Sequence, residues 1–338
     1  MYSDKSLINR FTDSWAHRPL FRTTVMLFTL AVIHALFLYN KAPGFGLTDW
    51  LSVWINLLNE YAGAGILALG MTFVITSGGV DLSSGAMPAV IGAVIALFAG
   101  AGGIAHAFGL NGLPAYAAAI CAGLIFGALL GLFTGILITR GNIPPFLATL
   151  GTMMIYRGFS RRIMDSAAPV IPQGFQNIAL FEISGKAFLP IIYWLVLAAA
   201  LHVVLNRTVF GKSVAAVGSN ENAAWLAGIN VKRIKRLVYM LAGILAAVTS
   251  VIRISAANTP DYANAGGGYA ADAIAACIFG SARLGGGRGY IAGAVMGAMI
   301  IAVINNMSGL MGVSPYMGEA FRGAVIIAAV LLQGKKIM

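Results

Sequence analysis

Apolar runs, each about as long as a membrane-crossing helix, alternate along this chain with short polar gaps. A spanning helix needs roughly twenty predominantly apolar residues, and compatible runs fall at 23–39, 55–76, 84–103, 114–139, 145–164, 188–206, 237–256, 270–282, 290–311 and 320–333. The pattern predicts an all-α integral membrane protein of about ten transmembrane helices. The eighth run is short. Gly63 with Gly65, Gly123, Gly127 with Gly131, and Gly293 with Gly297 stand where small residues let helix backbones approach closely. Two gaps depart from the simple alternation. Between 71 and 85, MTFVITSGGVDLSSG, a span is interrupted by glycines, serines and one aspartate, which exposes backbone groups that only protein or a water-filled cavity can satisfy. Asp81 with Ser84 reads as a cap for the helix that follows. As an ionisable group inside a bundle, Asp81 reads equally as part of a pathway or its gate, together with Gly78, Gly79 and Ser83.

The second gap, 210–239, is the only long watery segment. Ser219-Asn220-Glu221 supplies an N-cap and an acidic residue for the positive end of a helix. A short helical run over 222–227, with Ala223 and Ala224, then stops at Gly228. Lys232, Arg233, Lys235 and Arg236 follow immediately before the next apolar run, where cytoplasmic juxtamembrane cations collect. A small capped helix flanked by cations suits the grip of a separate protein, and a plain solvated connection is the other reading.

Composition agrees with the alternation. The 338 residues are 59% hydrophobic and only 10% charged, with mean hydropathy +0.85 and 42 glycines, whereas a soluble domain carries about a quarter charged residues. The spans form one bundle, so one domain is expected: a cytoplasmic tail over 1–22, too long and polar for a signal peptide's charged region, then a single transmembrane domain over 23–338 with a cytoplasmic loop at 207–236. Net charge is +11, but the cations sit beside spans, which points to membrane lipid and away from nucleic acid. With ten spans and a cytoplasmic start, fifteen of the 22 lysines and arginines lie inside and only Lys41 and Lys186 in outer loops, a strong positive-inside bias. Arg157, Arg161, Arg162, Arg253 and Arg322 fall in or near span ends. An error of one span would put the four-cation cluster outside, so the count of ten, with both termini cytoplasmic, is preferred. Cys121 and Cys277 lie inside apolar runs and read as small buried hydrophobes.

Several further stretches carry information. Pro144-Pro145 forces an extended entry and then starts a helix. The stretch 165–186 reads as an outer loop in which Pro169, Pro172 and Gln173-Gly174 forbid a continuous helix, and 258–268 as a second outer loop. The glycine-rich 280–289 segment reads as a tight cytoplasmic hairpin, since it lacks the lysine and serine or threonine of a phosphate-binding loop. Asn305 and Asn306 are candidates for a pathway that reads hydroxyls, or for interhelical glue. Glu319 and Arg322 are spaced to pair. His17, His34, His106 and His202 are scattered, and no catalytic or nucleotide-binding constellation is found. No enzyme activity and no cofactor are expected of this chain.

Phe210-Gly211, Ala216 to Asn220, Ala223-Ala224, Gly228-Ile229 and Val238-Tyr239 resemble the cytoplasmic coupling loop of the ribose/xylose/arabinose-type permeases of ATP-binding-cassette sugar importers. Gly78-Gly79-Val80-Asp81-Leu82-Ser83 resembles that family's GG(I/V)DLS signature, with Ser84 where valine is usual. Asn142-Ile143-Pro144-Pro145-Phe146 leading to Thr152, Tyr269 with the run from Asp272 to Ala276, and the segment from Gly280 to Gly289 resemble further family segments. Departures are Ala270 for glutamate, Ser281 for glycine and Arg283 for a small polar residue. The resemblance implies a permease of the bacterial inner membrane, an inverted repeat of spans 2–5 and 7–10, and transport of a monosaccharide or similar polyhydroxylated solute by alternating access. It also implies a partner ATPase that binds ATP and Mg, a periplasmic solute-binding protein, and a second permease chain, identical or not. Coupling would fall to Ser219, Asn220, Glu221, Ala223, Ala224 and Gly228, and the pathway to Gly78, Gly79, Asp81, Ser83, Asn305 and Asn306. The alternative is a self-powered secondary transporter using Asp81 or Asp272 for ion coupling.

Overall fold

The computed structural model describes residues 19–327 except 43, 45, 101, 167–170, 184–185, 258–267, 315–316, 319, 321–322 and 325–326. Nine of the ten apolar runs are helices: α1 (Pro19–Lys41), α2 (Leu47–Thr76), α3 (Met87–Ala99), α5 (Leu113–Arg140), α6 (Pro145–Ser166), α8 (Leu189–Arg207), α11 (Val231–Ala257), α12 (Tyr269–Phe279) and α13 (Ile291–Leu310). Shorter helices α4 (Ile104–Ala107), α7 (Gln173–Leu180), α9 (Val209–Ser219) and α10 (Glu221–Leu226) lie in the gaps, with one hairpin of β1 (Glu182–Ile183) and β2 (Lys186–Ala187). Among the described residues seven helical segments are long and apolar enough to cross a membrane. The tenth run and the Glu319–Arg322 pair lie almost wholly outside the described residues, as does the 258–268 loop apart from Gly268. The expected ten crossings are therefore not confirmed among the described residues, where α6 carries Arg157, Arg161 and Arg162 and α12 has only 11 residues.

Helix α2 is the axis of the bundle. Its 30 residues span about 45 Å at 1.5 Å per residue, and each end carries different company. At the N-terminal end the hairpin docks, with Lys186 Nζ donating to Ser52 Oγ at 2.5 Å and Asn59 Nδ2 donating to the Ala187 carbonyl. The C-terminal end meets α9 and the 280–289 turn. Lys41 and Lys186 thus share one end of the molecule. Thr23 Oγ1 donates to the Phe279 carbonyl at 2.9 Å, which ties the start of α1 to the opposite end.

Close packing of backbones holds the helices together. Helix α5 lies along α11 so tightly that a Cβ at Gly127 would run into the Gly243 carbonyl, and one at Gly131 into the Tyr239 carbonyl. Gly65 gives way to the Trp194 indole, Gly293 to Gly280, and Gly297 to the Ala276 carbonyl. These glycines act as expected for small-residue helix interfaces. Cys277 is buried, but Cys121 is exposed on the outer face of α5, a correction to its reading as a buried hydrophobe.

Packing also repeats. Helix α5 packs on α11 as α13 packs on α2, α3 on α5 as α12 on α13, and α3 on α11 as α12 on α2. Exchanging α2 with α11, α3 with α12 and α5 with α13 maps each pair onto its counterpart, the contact pattern of two related halves.

The segment after α6, expected as an outer loop, contains a helix of its own. Pro172 adopts extended backbone at the N-cap of α7, a position where its missing amide costs nothing. Phe175, fully buried, then packs edge-on against Tyr116 at 5.5 Å.

Candidate functional site

Helix α2 ends at the interrupted stretch in a closed geometry. Gly78 takes φ +82, its amide donates to the Ile75 carbonyl at 2.9 Å and the Gly79 amide to Val74 at 3.0 Å. That pair is the Schellman pattern, with glycine in the left-handed position. Asp81 follows, fully buried. Its Oδ1 accepts from the Ser83 amide at 2.8 Å, the Ser83 hydroxyl at 2.5 Å and the Ser84 amide at 3.2 Å, so the carboxylate caps the single 3-10 turn Ser83–Gly85. Ser84 closes the loop by donating its hydroxyl to the Asp81 carbonyl at 2.8 Å. Capping thus reaches the 3-10 turn, while α3 itself starts later, at Met87, with no side-chain cap. Asp81 Oδ2 has no partner among the described residues. Tyr239 and Thr149 hydroxyls, from α11 and α6, both approach the Val80 carbonyl at 3.4 Å. Four elements therefore converge on the 78–85 turn.

At the α2 C-terminal end lies the segment expected to serve coupling. The expected helix is present with shifted bounds. Asn220 is the N-cap, its Oδ1 accepting from the Ala223 amide at 2.9 Å, and the helix is Glu221–Leu226, not 222–227. Ser219 instead closes α9, an 11-residue helix that the sequence reading missed. Phe210 on α9 stacks on Phe73 of α2 with ring centres 6.1 Å apart. Gly228 stops α10 at φ +82, with its amide on Trp225 at 2.9 Å and the Ile229 amide on Ala224 at 3.0 Å, a second Schellman end. Glu221 pairs with Lys235 across to α11. Ala224 is buried against the bundle, while Trp225 and Leu226 stand 69% and 78% exposed. A groove of about 560 Å³ runs beside α10, walled by Thr139, Asn142, Trp225, Asn230 and Lys232. Asn230 caps the next helix by accepting from the Arg233 amide at 3.0 Å, so α11 begins at Val231 and the four cations lie on its first turns.

The 78–85 turn and the 209–228 segment touch directly. Gly218 packs so close to α2 that a Cβ there would enter the Thr76 carbonyl and the Gly287 amide, and the same test at Gly286 meets Gly218 and Gly78. The Gly287 amide donates to the Thr76 carbonyl at 2.9 Å. Gly286 and Gly287 sit at φ +84 and +81 in the expected hairpin, which the Arg283 amide closes on the Arg288 carbonyl at 3.0 Å. Gly218, Gly286 and Gly287 stood in the sequence only within the family-like segments 216–220 and 280–289, and Thr76 only within the interrupted stretch 71–85; nothing in the sequence joined them.

Asn305 and Asn306 lie elsewhere. Asn306 Oδ1 is 3.0 Å from His34 Nε2, and His34 is fully buried with its ring edge-on to Trp54 at 6.1 Å. Asn306 therefore joins α13 to α1 as interhelical glue, and the two asparagines do not share a site with Asp81.

A family model described as the permease component of a branched-chain amino acid transport system matches residues 53–330. The chain is 39% identical over 287 residues to the ribose import permease protein RbsC of Bacillus subtilis, covering 83% of this chain and 84% of that protein. It is 36% identical over 286 residues to RbsC of Escherichia coli, covering 83% and 85%. It is 33% identical over 299 residues to the galactose/methyl galactoside import permease protein MglC of Haemophilus influenzae, covering 83% and 86%. No solved structure matches.

Proposed function

The chain belongs to the family of permease components of branched-chain amino acid transport systems and is a multi-pass transport permease; from that premise we propose that its solute is a monosaccharide or similar small polyhydroxylated molecule. The relatives named above import ribose and galactosides, which supports a sugar over an amino acid. Energy would come from a separate ATPase subunit that binds ATP and Mg, the solute would be delivered by a periplasmic binding protein, and a second permease chain would complete the pathway in the bacterial inner membrane. No cofactor in this chain is needed for that work.

One observation carries the docking of the ATPase. Helix α10 is held out from the bundle between two hydrogen-bonded ends, presenting Trp225 and Leu226 to solvent at the end where Arg140, Arg207, Lys212, Lys232 and Arg233 gather. Exposed aromatic and aliphatic side chains on a rigid short helix are the anchors of protein interfaces. Closure of the ATPase would shift α10, and the turn at Asp81 would pass the change to the solute path, giving alternating access. The self-powered alternative would use Asp272 or Asp81, whose Oδ2 has no partner among the described residues, but the relatives named above are import permeases and give it no support.

Purification of the tagged chain from native membranes in mild detergent tests the reading. An ATPase subunit should accompany the wild type and be lost from Glu221→Arg, which turns the Lys235 pair into repulsion. Wild type that carries no ATPase, yet moves solute alone down an ion gradient after reconstitution, would overturn it.

A further inference from the structure

Three chain segments far apart in sequence meet at the C-terminal end of α2 largely backbone to backbone, with the Ser219 side chain against Gly287. Thr76 and Gly78 come from α2, Gly218 and Ser219 from the end of α9, and Gly286 and Gly287 from the turn between α12 and α13. A Cβ built at Gly78 stands 3.7 Å from Gly218 Cα, and one at Gly286 stands 2.9 Å from Gly78 Cα. The 2.9 Å bond from the Gly287 amide to the Thr76 carbonyl takes up a carbonyl that a helix end leaves without an intrahelical partner. Contacts between long side chains yield by rotamer changes, whereas backbone against backbone has no such slack, and packed interiors transmit strain for that reason.

We infer that this glycine junction moves as one body and is the positioning device that carries displacement of α10 to the Asp81 turn. The inference rests on the proposed docking of an ATPase at α10. Ser219, the last residue of α9, is joined to α10 through the single cap residue Asn220, so a shift of α10 pulls on Gly218. Gly218 bears on Thr76, two residues before the left-handed Gly78 and five before Asp81. Gly286 and Gly287 brace the other side and bring the α12–α13 turn along. Tyr239, whose hydroxyl rests on Gly79 and approaches the Val80 carbonyl, supports the turn from α11.

The test is hydrogen exchange on the intact permease–ATPase assembly, without nucleotide and after trapping with ATP and vanadate, a readout that needs no knowledge of the solute. In wild type, amides of 77–86 and of 219–228 should change exchange together on trapping, by about fivefold or more, the equivalent of ~1 kcal/mol. In Gly218→Ala, whose methyl would part Thr76 from Gly287, the 219–228 response should remain and the 77–86 response should vanish. An unchanged 77–86 response in that variant, or none in wild type, overturns the junction while leaving ATPase docking standing. An assembly that contains no ATPase marks failure of the docking reading instead. Should Gly218→Ala not fold, a Ser219→Cys, Gly287→Cys pair decides the matter, because the two Cβ positions lie 3.3 Å apart, near disulfide range. Once crosslinked, the junction should still deliver the full 77–86 response. A response that returns only after reduction would mean that the segments must slide, and the single-body junction would be wrong.

Discussion

Asp81 commits one carboxylate oxygen to three donors and leaves the other without a partner among the described residues. If its task is to cap the turn, an amide oxygen serves as well as a carboxylate oxygen. Asp81→Asn is therefore expected to keep both thermal stability in detergent and uptake in cells. Asp81→Ala strands two buried amides, and each unsatisfied group costs about 1–3 kcal/mol, so it should unfold at lower temperature. Loss of uptake in Asp81→Asn at unchanged stability would show that the charge itself is used and would favour ion coupling. Ser281 gives a second test. It sits at φ +66 in the left-handed slot that ends α12, where its amide meets Ile278 at 2.9 Å and the Ala282 amide meets Cys277 at 2.9 Å. A non-glycine residue there costs roughly 1–2 kcal/mol. Ser281→Gly relieves that strain but adds the chain entropy of glycine and gives up the hydroxyl contact with Thr23 Oγ1 at 3.3 Å, so thermal unfolding should shift by less than about 1 kcal/mol. Both residues were legible in sequence, one as a cap and one as a departure from glycine. Cys121 was not, because in lipid the outward face of a helix is as apolar as the inward one and the usual periodicity that sorts them disappears. Asn306 was legible only as an alternative, since its partner His34 lies 272 positions away.

At the scale of elements, apolar runs located nine helices but not all of their ends. Helix α2 begins at Leu47, eight residues before the run at 55, because its first turns pass through a more polar stretch carrying Thr48, Asp49 and Ser52. Helix α11 begins six residues before its run because Asn230 caps it. Helices α9 and α7 were missed, being short, partly polar segments whose stability comes from packing rather than propensity. That α5 packs closely was legible in its glycine spacing, its partner α11 was not, and the contact makes a sharp expectation. Gly127→Ala, driven against the Gly243 carbonyl, should destabilise by about 1–3 kcal/mol through overpacking. Gly285→Ala, with nothing within 4 Å of the new methyl, should change unfolding by less than about 0.5 kcal/mol. Equal effects from the two would mean that α5 and α11 do not touch as described.

On the scale of the whole molecule, charge and mechanics point the same way. Lys41 and Lys186 mark the end of α2 that carries the hairpin, whereas Arg140, Arg207, Lys212, the four cations of 232–236, Arg283 and Arg288 flank the other end, with α10 and the glycine junction among them. The positive-inside rule assigns that second end to the cytoplasm, the side on which the proposed ATPase would dock. Cysteines placed singly at Lys41 and Lys186 should react with a membrane-impermeant maleimide applied to cells with a permeabilised outer membrane. Those at Lys212 and Arg283 should react only in inverted vesicles. The native thiols should stay silent from either side, since Cys277 is buried and Cys121 faces outward from α5 in the apolar depth of the membrane. The reverse pattern would do more than correct a topology diagram. It would place Trp225 and Leu226 where no ATPase can reach them, and a junction that transmits from α10 would have nothing to transmit.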